Sequence, residues 1–110
     1  MDLLFVHQNF PGQFRHLAPA LATRPGHRVL ALSLNARAPA LWQGVRVVPY
    51  RVARGNTPGL HPWLVDFETK ALRGEACARA AQALKQQGFE PRAIVAHPGW
   101  GESLFLKQVW

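Results

Sequence analysis

The sequence predicts an α/β fold with a doubly wound, mostly parallel sheet, on three observations. Four short apolar runs, at residues 3–6, 28–33, 45–48 and 93–96, have the length of strands. They are interleaved with segments whose apolar residues recur at helical spacing, the alternation that a parallel sheet requires. Two of the runs pass directly into polar, glycine-containing loops. These are His7-Gln8-Asn9-Phe10-Pro11-Gly12-Gln13 and His97-Pro98-Gly99-Trp100-Gly101-Glu102. In an open α/β sheet the loops beyond the carboxyl ends of the strands are where ligands bind. Two such loops therefore point to one shared site.

Leu3, Leu4, Phe5 and Val6 make a continuous apolar run, as expected for a strand buried on both faces. Phe14, Leu17, Ala18 and Leu21 then give a first helix one apolar face. Pro19 predicts a kink or a late start for it, and Pro25-Gly26 its end. Strands follow at residues 28–33 and 45–48, joined by a loop around Pro39 with Leu41 and Trp42 as anchors. Gly55, Asn56, Pro58, Gly59 and Pro62 exclude regular structure from residues 50–62. Leu64, Phe67, Ala71, Gly74, Ala78, Ala81 and Leu84 trace one face of a long helix, which Gly88 stops. Most of these residues are small, so the helix is expected to pack close to the sheet. After the fourth strand, residues 103–110 are expected to begin another helix, with Leu104, Phe105 and Val109 inward. A four-stranded sheet with its last helix cut predicts one domain, residues 1–110, that is the N-terminal piece of a larger protein.

At 110 residues, 48% of them hydrophobic, the chain is one small domain and no disordered tail. The single cysteine, Cys77, forms no internal disulfide, and its helical setting suits packing rather than chemistry. Asp2 and the early polar Gln8 and Asn9 do not fit a secretory signal. No stretch reaches the roughly 20 apolar residues of a membrane-spanning helix, and a cytoplasmic setting is expected. Thirteen Lys and Arg against six Asp and Glu leave a formal net charge of +7. That field attracts phosphates on nucleotides, nucleic acid or anionic lipid. Arg46, Arg51 and Arg54 fall in one short stretch, while the scatter of the others suits a solvated basic surface. Nucleic-acid binding rests on charge alone, without a recognition helix, zinc finger or RNA-binding signature, and is not expected.

In the first loop, Gln8, Asn9 and Gln13 supply the paired donors and acceptors that sugar hydroxyls require. Gly12 lets the backbone turn and approach a ligand near the free N–H groups of a helix start, a setting for phosphate or a sugar hydroxyl. The plainer reading is a helix cap and a turn. In the second loop, Gly99 and Gly101 flank Trp100 and free the backbone there. His97, where strand becomes loop, either holds structure or serves a substrate as donor, acid or base near neutral pH. Glu102 either caps the next helix or accepts hydrogen bonds from a sugar. His61-Pro62-Trp63 ties the long loop to a helix start or offers its ring to a sugar. The five histidines, His7, His16, His27, His61 and His97, show no helical metal spacing, so neither a metal nor another cofactor is expected. Ser103 lies outside any Gly-x-Ser-x-Gly elbow, and a full G-x-G-x-x-G is absent.

Two stretches carry a resemblance: Phe5-Val6-His7-Gln8-Asn9-Phe10-Pro11-Gly12-Gln13-Phe14-Arg15-His16-Leu17, and Ala96-His97-Pro98-Gly99-Trp100-Gly101-Glu102-Ser103-Leu104-Phe105-Leu106. Both resemble the N-terminal domain of a retaining, family-4-type glycosyltransferase of the GT-B architecture. His61-Pro62-Trp63, Phe67-Glu68 and Arg73-Gly74 fit a bacterial subgroup, so the similarity covers nearly the whole chain. The resemblance implies a Rossmann-like acceptor-side half of a two-domain enzyme that uses a nucleotide-sugar as co-substrate, without a metal. It places Gly12 and its neighbours by the donor phosphates, and His97 by the transferred sugar as a positioning or polarising group. It also implies a saccharide or glycolipid acceptor and work at the inner face of the cytoplasmic membrane, where a basic surface would meet anionic lipid. Without the donor-binding half, the 110 residues are expected to be inactive and prone to self-association. The alternative is a non-catalytic Rossmann-like or flavodoxin-like module that binds a phosphate-bearing ligand or a partner.

Overall fold

In the computed structural model, which describes residues 1–110, five strands form one sheet in the order β3-β4-β2-β1-β5. Strands β1 (Asp2–Val6), β2 (Arg28–Ser33), β4 (Val45–Pro49) and β5 (Pro91–Ala96) are parallel. The two-residue β3 (Leu41–Trp42) is antiparallel to β4 at one edge. Successive residues of a strand face opposite sides, so the apolar run of β1 is divided between two cores. Leu4 and Val6, with Leu30 and Leu32, pack against Ala76, Cys77, Ala81 and Leu84 of α2 (Pro62–Gln86). Leu3 and Phe5, with Val29, Ala31 and Val47, pack against Phe10, Phe14 and Ala18 of the first loop and α1 (Leu17–Ala22). The central strands β1 and β2 are therefore covered on both faces, as in a doubly wound fold, while the edge strand β5 is only partly buried.

Three local features differ from the pattern-based expectation, and a fourth takes one of its two alternatives. Leu41 and Trp42 form a strand rather than anchoring a loop. Gln43 and Gly44, both at positive φ, join β3 to β4 as a two-residue hairpin turn. Helix α1 takes the late start: a 3-10 turn at Gly12–Phe14 precedes it, and Pro19 falls in its first turn, where backbone N–H groups lack helical partners anyway. Residues 103–110 form turns and a 3-10 segment, Leu106–Gln108, rather than an α-helix. Leu106 and Val109 are buried and Leu104 faces outward. The end of this segment is held from outside, by Lys85 Nζ donating to the Val109 carbonyl at 2.6 Å and Trp110 Nε1 donating to that of Phe89 at 3.0 Å.

The third difference concerns α2. Its Leu64 and Phe67 lie on the face expected to pack inward, yet they are 51% and 71% exposed, and burial begins only at Gly74. A helix of 25 residues is about 37 Å long. The strands beneath, of five or six residues, reach only about 20 Å. The N-terminal turns of α2 thus overshoot the sheet. His61 starts the helix, its Nδ1 accepting from the Trp63 backbone N–H at 3.1 Å, and Trp63 stands 89% exposed.

Candidate functional site

The two loops leave the sheet side by side. β1 and β5 are neighbours in register Val6↔Ala96, and the His97 N–H donates to the Val6 carbonyl at 2.9 Å. His7 and His97 therefore emerge together at the carboxyl edge. Their rings meet edge to face with centroids 5.4 Å apart. Trp100 stacks on His97 at 3.8 Å and 22°, and presents its edge geometry to His7 at 5.2 Å. Histidine, histidine and tryptophan thus form one cluster where parallel sheets hold ligands.

The hydrogen bonds of the cluster set its chemistry. His7 Nδ1 accepts from the Asn9 backbone N–H at 3.0 Å, so the neutral ring carries its proton on Nε2. Burial, and then repulsion between the His7 and His97 rings when both take up protons, hold the His7 pKa below its ordinary 6.5, with Glu102 opposing. Gly12, at φ +47, lies against that ring: a Cβ there would fall inside van der Waals contact of His7 Nε2. The glycine makes room for the histidine.

Glu102 is buried, 2% exposed, and ties the two loops to Tyr50 at the end of β4. Its Oε1 accepts from Gln8 Nε2 at 2.7 Å and from the Tyr50 hydroxyl at 2.9 Å. Burial and the Glu102 charge push the Tyr50 hydroxyl far above its ordinary value, so it remains a donor. The Gln8 carbonyl accepts from Ser33 Oγ at 2.9 Å and from the Leu34 N–H at 3.0 Å, fixing the first loop on β2. Only two buried side-chain polar atoms lack a partner within the chain, and both belong to the second loop: His97 Nδ1 and Glu102 Oε2. Buried polar groups are nearly always satisfied, so each of these two atoms calls for an explanation, such as strain, a catalytic role, or a water or ion. His97 Nε2 makes no hydrogen bond within the chain and, unlike Nδ1, is not fully buried.

The sequence-predicted site residues separate into two sets. Gln8, His97, Trp100 and Glu102 are brought together, and Gly12 shapes the cluster. Asn9 and Gln13 are exposed, their side chains make no hydrogen bond, and neither caps a helix. Gly99 is exposed. Gly101 has a packing role: at φ +103 its Cβ position is filled by the Lys70 backbone, and a Cβ on Gly74 would lie 2.7 Å from the Gly101 carbonyl oxygen. The glycines let the second loop lie directly on α2. Residue-type reasoning missed Tyr50 and undervalued His7. The signal available for His7 was its place immediately after a strand, equivalent to that of His97.

No helix is long and apolar enough to cross a membrane, and no group of three or more His, Cys, Asp or Glu side chains converges as a metal site. Cys77 is fully buried, its thiol pushed up to about 12, chiefly by desolvation. The sequence model of the glycosyl transferase family 4 group matches residues 25–110, most of the chain. No curated protein and no solved structure matches it.

Proposed function

The chain belongs to the glycosyl transferase family 4 group, and from that premise we propose that it is the acceptor-side, N-terminal half of an enzyme using a nucleotide-sugar donor. The sugar passes to a saccharide or glycolipid acceptor: the bond from the anomeric carbon to the donor phosphate breaks, and the acceptor hydroxyl oxygen bonds to that carbon. The hydroxyl proton leaves with or through the departing phosphate. One observation carries the assignment of the site, the ring cluster at the adjacent carboxyl ends of β1 and β5. There His97 Nε2 is available to a sugar or acceptor hydroxyl while Trp100 fixes the ring plane. His97 acts by positioning and polarising, since one imidazole can orient a hydroxyl without forming a covalent intermediate.

The chain's +7 charge and the exposed Trp63 and Phe67 support contact with the anionic inner face of the cytoplasmic membrane. The same exposed residues support self-association of the 110-residue chain when it stands alone. The test is nucleotide release from UDP-, GDP- and ADP-sugars by the complete gene product and by residues 1–110 separately. Slow release by the complete product, and none by the 110 residues, supports the division into halves. A folded complete product that neither binds nor turns over any nucleotide-sugar sinks the proposal and favours a binding module.

A further inference from the structure

Beside the ring cluster, the chain leaving β4 and the middle of α2 enclose an open cavity of roughly 500 Å³. Leu34 and Leu72 give it apolar wall, and Arg51, Arg54 and Arg73 line it together with Thr69. No acidic side chain lines it. Arg54 is neutralised by Glu68 at 3.2 Å, but neither Arg51 nor Arg73 forms an ion pair. The Arg73 guanidinium makes one hydrogen bond within the chain, a long one of 3.4 Å to the carbonyl of Trp100. The nearby Glu102 is buried and directs Oε1 to Tyr50 and Gln8.

Arginine stays charged at every working pH, and its planar fork matches the oxygens of phosphate or carboxylate in pairs. Arg51, just after β4, and Arg73, on α2, both line the cavity without an ion-pair partner, and Leu34 and Leu72 add apolar lining. Together they describe a receptor for an anion attached to an apolar or saccharide body. Arg73 donates to the Trp100 carbonyl, so this part of the cavity adjoins the loop that carries His97. We infer that this cavity is an oxyanion subsite, in which Arg51 and Arg73 grip a phosphate or carboxylate group of the acceptor. The identification of the anion with the acceptor rests on the glycosyl-transfer reading; the anion site itself does not.

The experiment titrates the chain with methyl phosphate and with acetate at constant ionic strength, following the arginine Nε–Hε resonances by NMR. Wild type is compared with Arg51→Gln and Arg73→Gln, and with Arg24→Gln and Arg92→Gln, which remove the same charge from exposed positions elsewhere. The expected result is saturable shifts at Arg51 and Arg73, and affinity lowered about 10-fold or more by either cavity variant but not by the controls. Binding of methyl phosphate alone assigns a phosphate-bearing acceptor, and binding of acetate alone an acidic sugar. Absence of saturable shifts, or equal losses in all four variants, overturns the subsite. If the site binds while the complete product transfers no sugar, the transfer reading falls and the anion site stands.

Discussion

Gln8 and Glu102 lie 94 positions apart in sequence and are joined by a 2.7 Å hydrogen bond. With Tyr50 on the same carboxyl oxygen, Glu102 fastens the loops after β1 and β5 to the end of β4. Buried polar networks of this kind stabilise when complete and are costly when broken.

Removing Glu102 breaks that network. Glu102→Ala leaves the buried Tyr50 hydroxyl and the Gln8 amide without their acceptor, at a cost of about 3 kcal/mol. Glu102→Gln retains an acceptor oxygen and costs about 1 kcal/mol. Urea unfolding of the two variants checks the order, and equal midpoints would refute the network.

Gly12→Ala places a methyl group against the His7 ring and demands a left-handed backbone from an L-residue. Together these cost about 2–3 kcal/mol. The His7 ring resonances move with the loss, because the ring must shift to admit the methyl group. A variant as stable as wild type with unmoved His7 resonances contradicts the packing described.

His7 makes stability depend on pH. Its folded pKa lies below the ordinary 6.5, so between the two values the unfolded chain binds the extra proton. The stability held by neutral His7 is complete above pH 6.5 and is lost as pH falls through the lowered folded value. The chain therefore unfolds at lower urea near about pH 5 than near about pH 7.5, and His7→Asn reduces that difference. Asp2 and Glu68, whose pKa values are lowered from 3.8 and 4.5, act below this window. An NMR midpoint for His7 above 6.5 would contradict the assignment.

The elements with a strong local signal were legible. The four apolar runs became parallel strands, and the small-residue face from Gly74 to Leu84 packed on the sheet. The rest depended on distant parts of the chain. β3 is too short to show any periodicity. Nothing in the spacing of Leu64 and Phe67 reveals that the helix outruns its sheet. Residues 103–110 have a helical pattern, but their ends are fixed by Lys85 and Phe89. Within the candidate site, residue type and position after a strand singled out His97, Trp100, Glu102 and Gln8, which the fold brings close together. The partner of Glu102 could not be read so directly, because Tyr50 enters through strand order. The exposed Asn9 and Gln13 share the residue chemistry of Gln8 but not its contacts.

The central claim is that His97, stacked on Trp100 beside His7, serves glycosyl transfer. The most direct measurement is the rate of nucleotide release from the accepted nucleotide-sugar by the complete gene product carrying His97→Ala, beside wild type. The account predicts a loss of about 100-fold or more in kcat with the unfolding midpoint nearly unchanged. Wild-type turnover from a folded His97→Ala protein would contradict it.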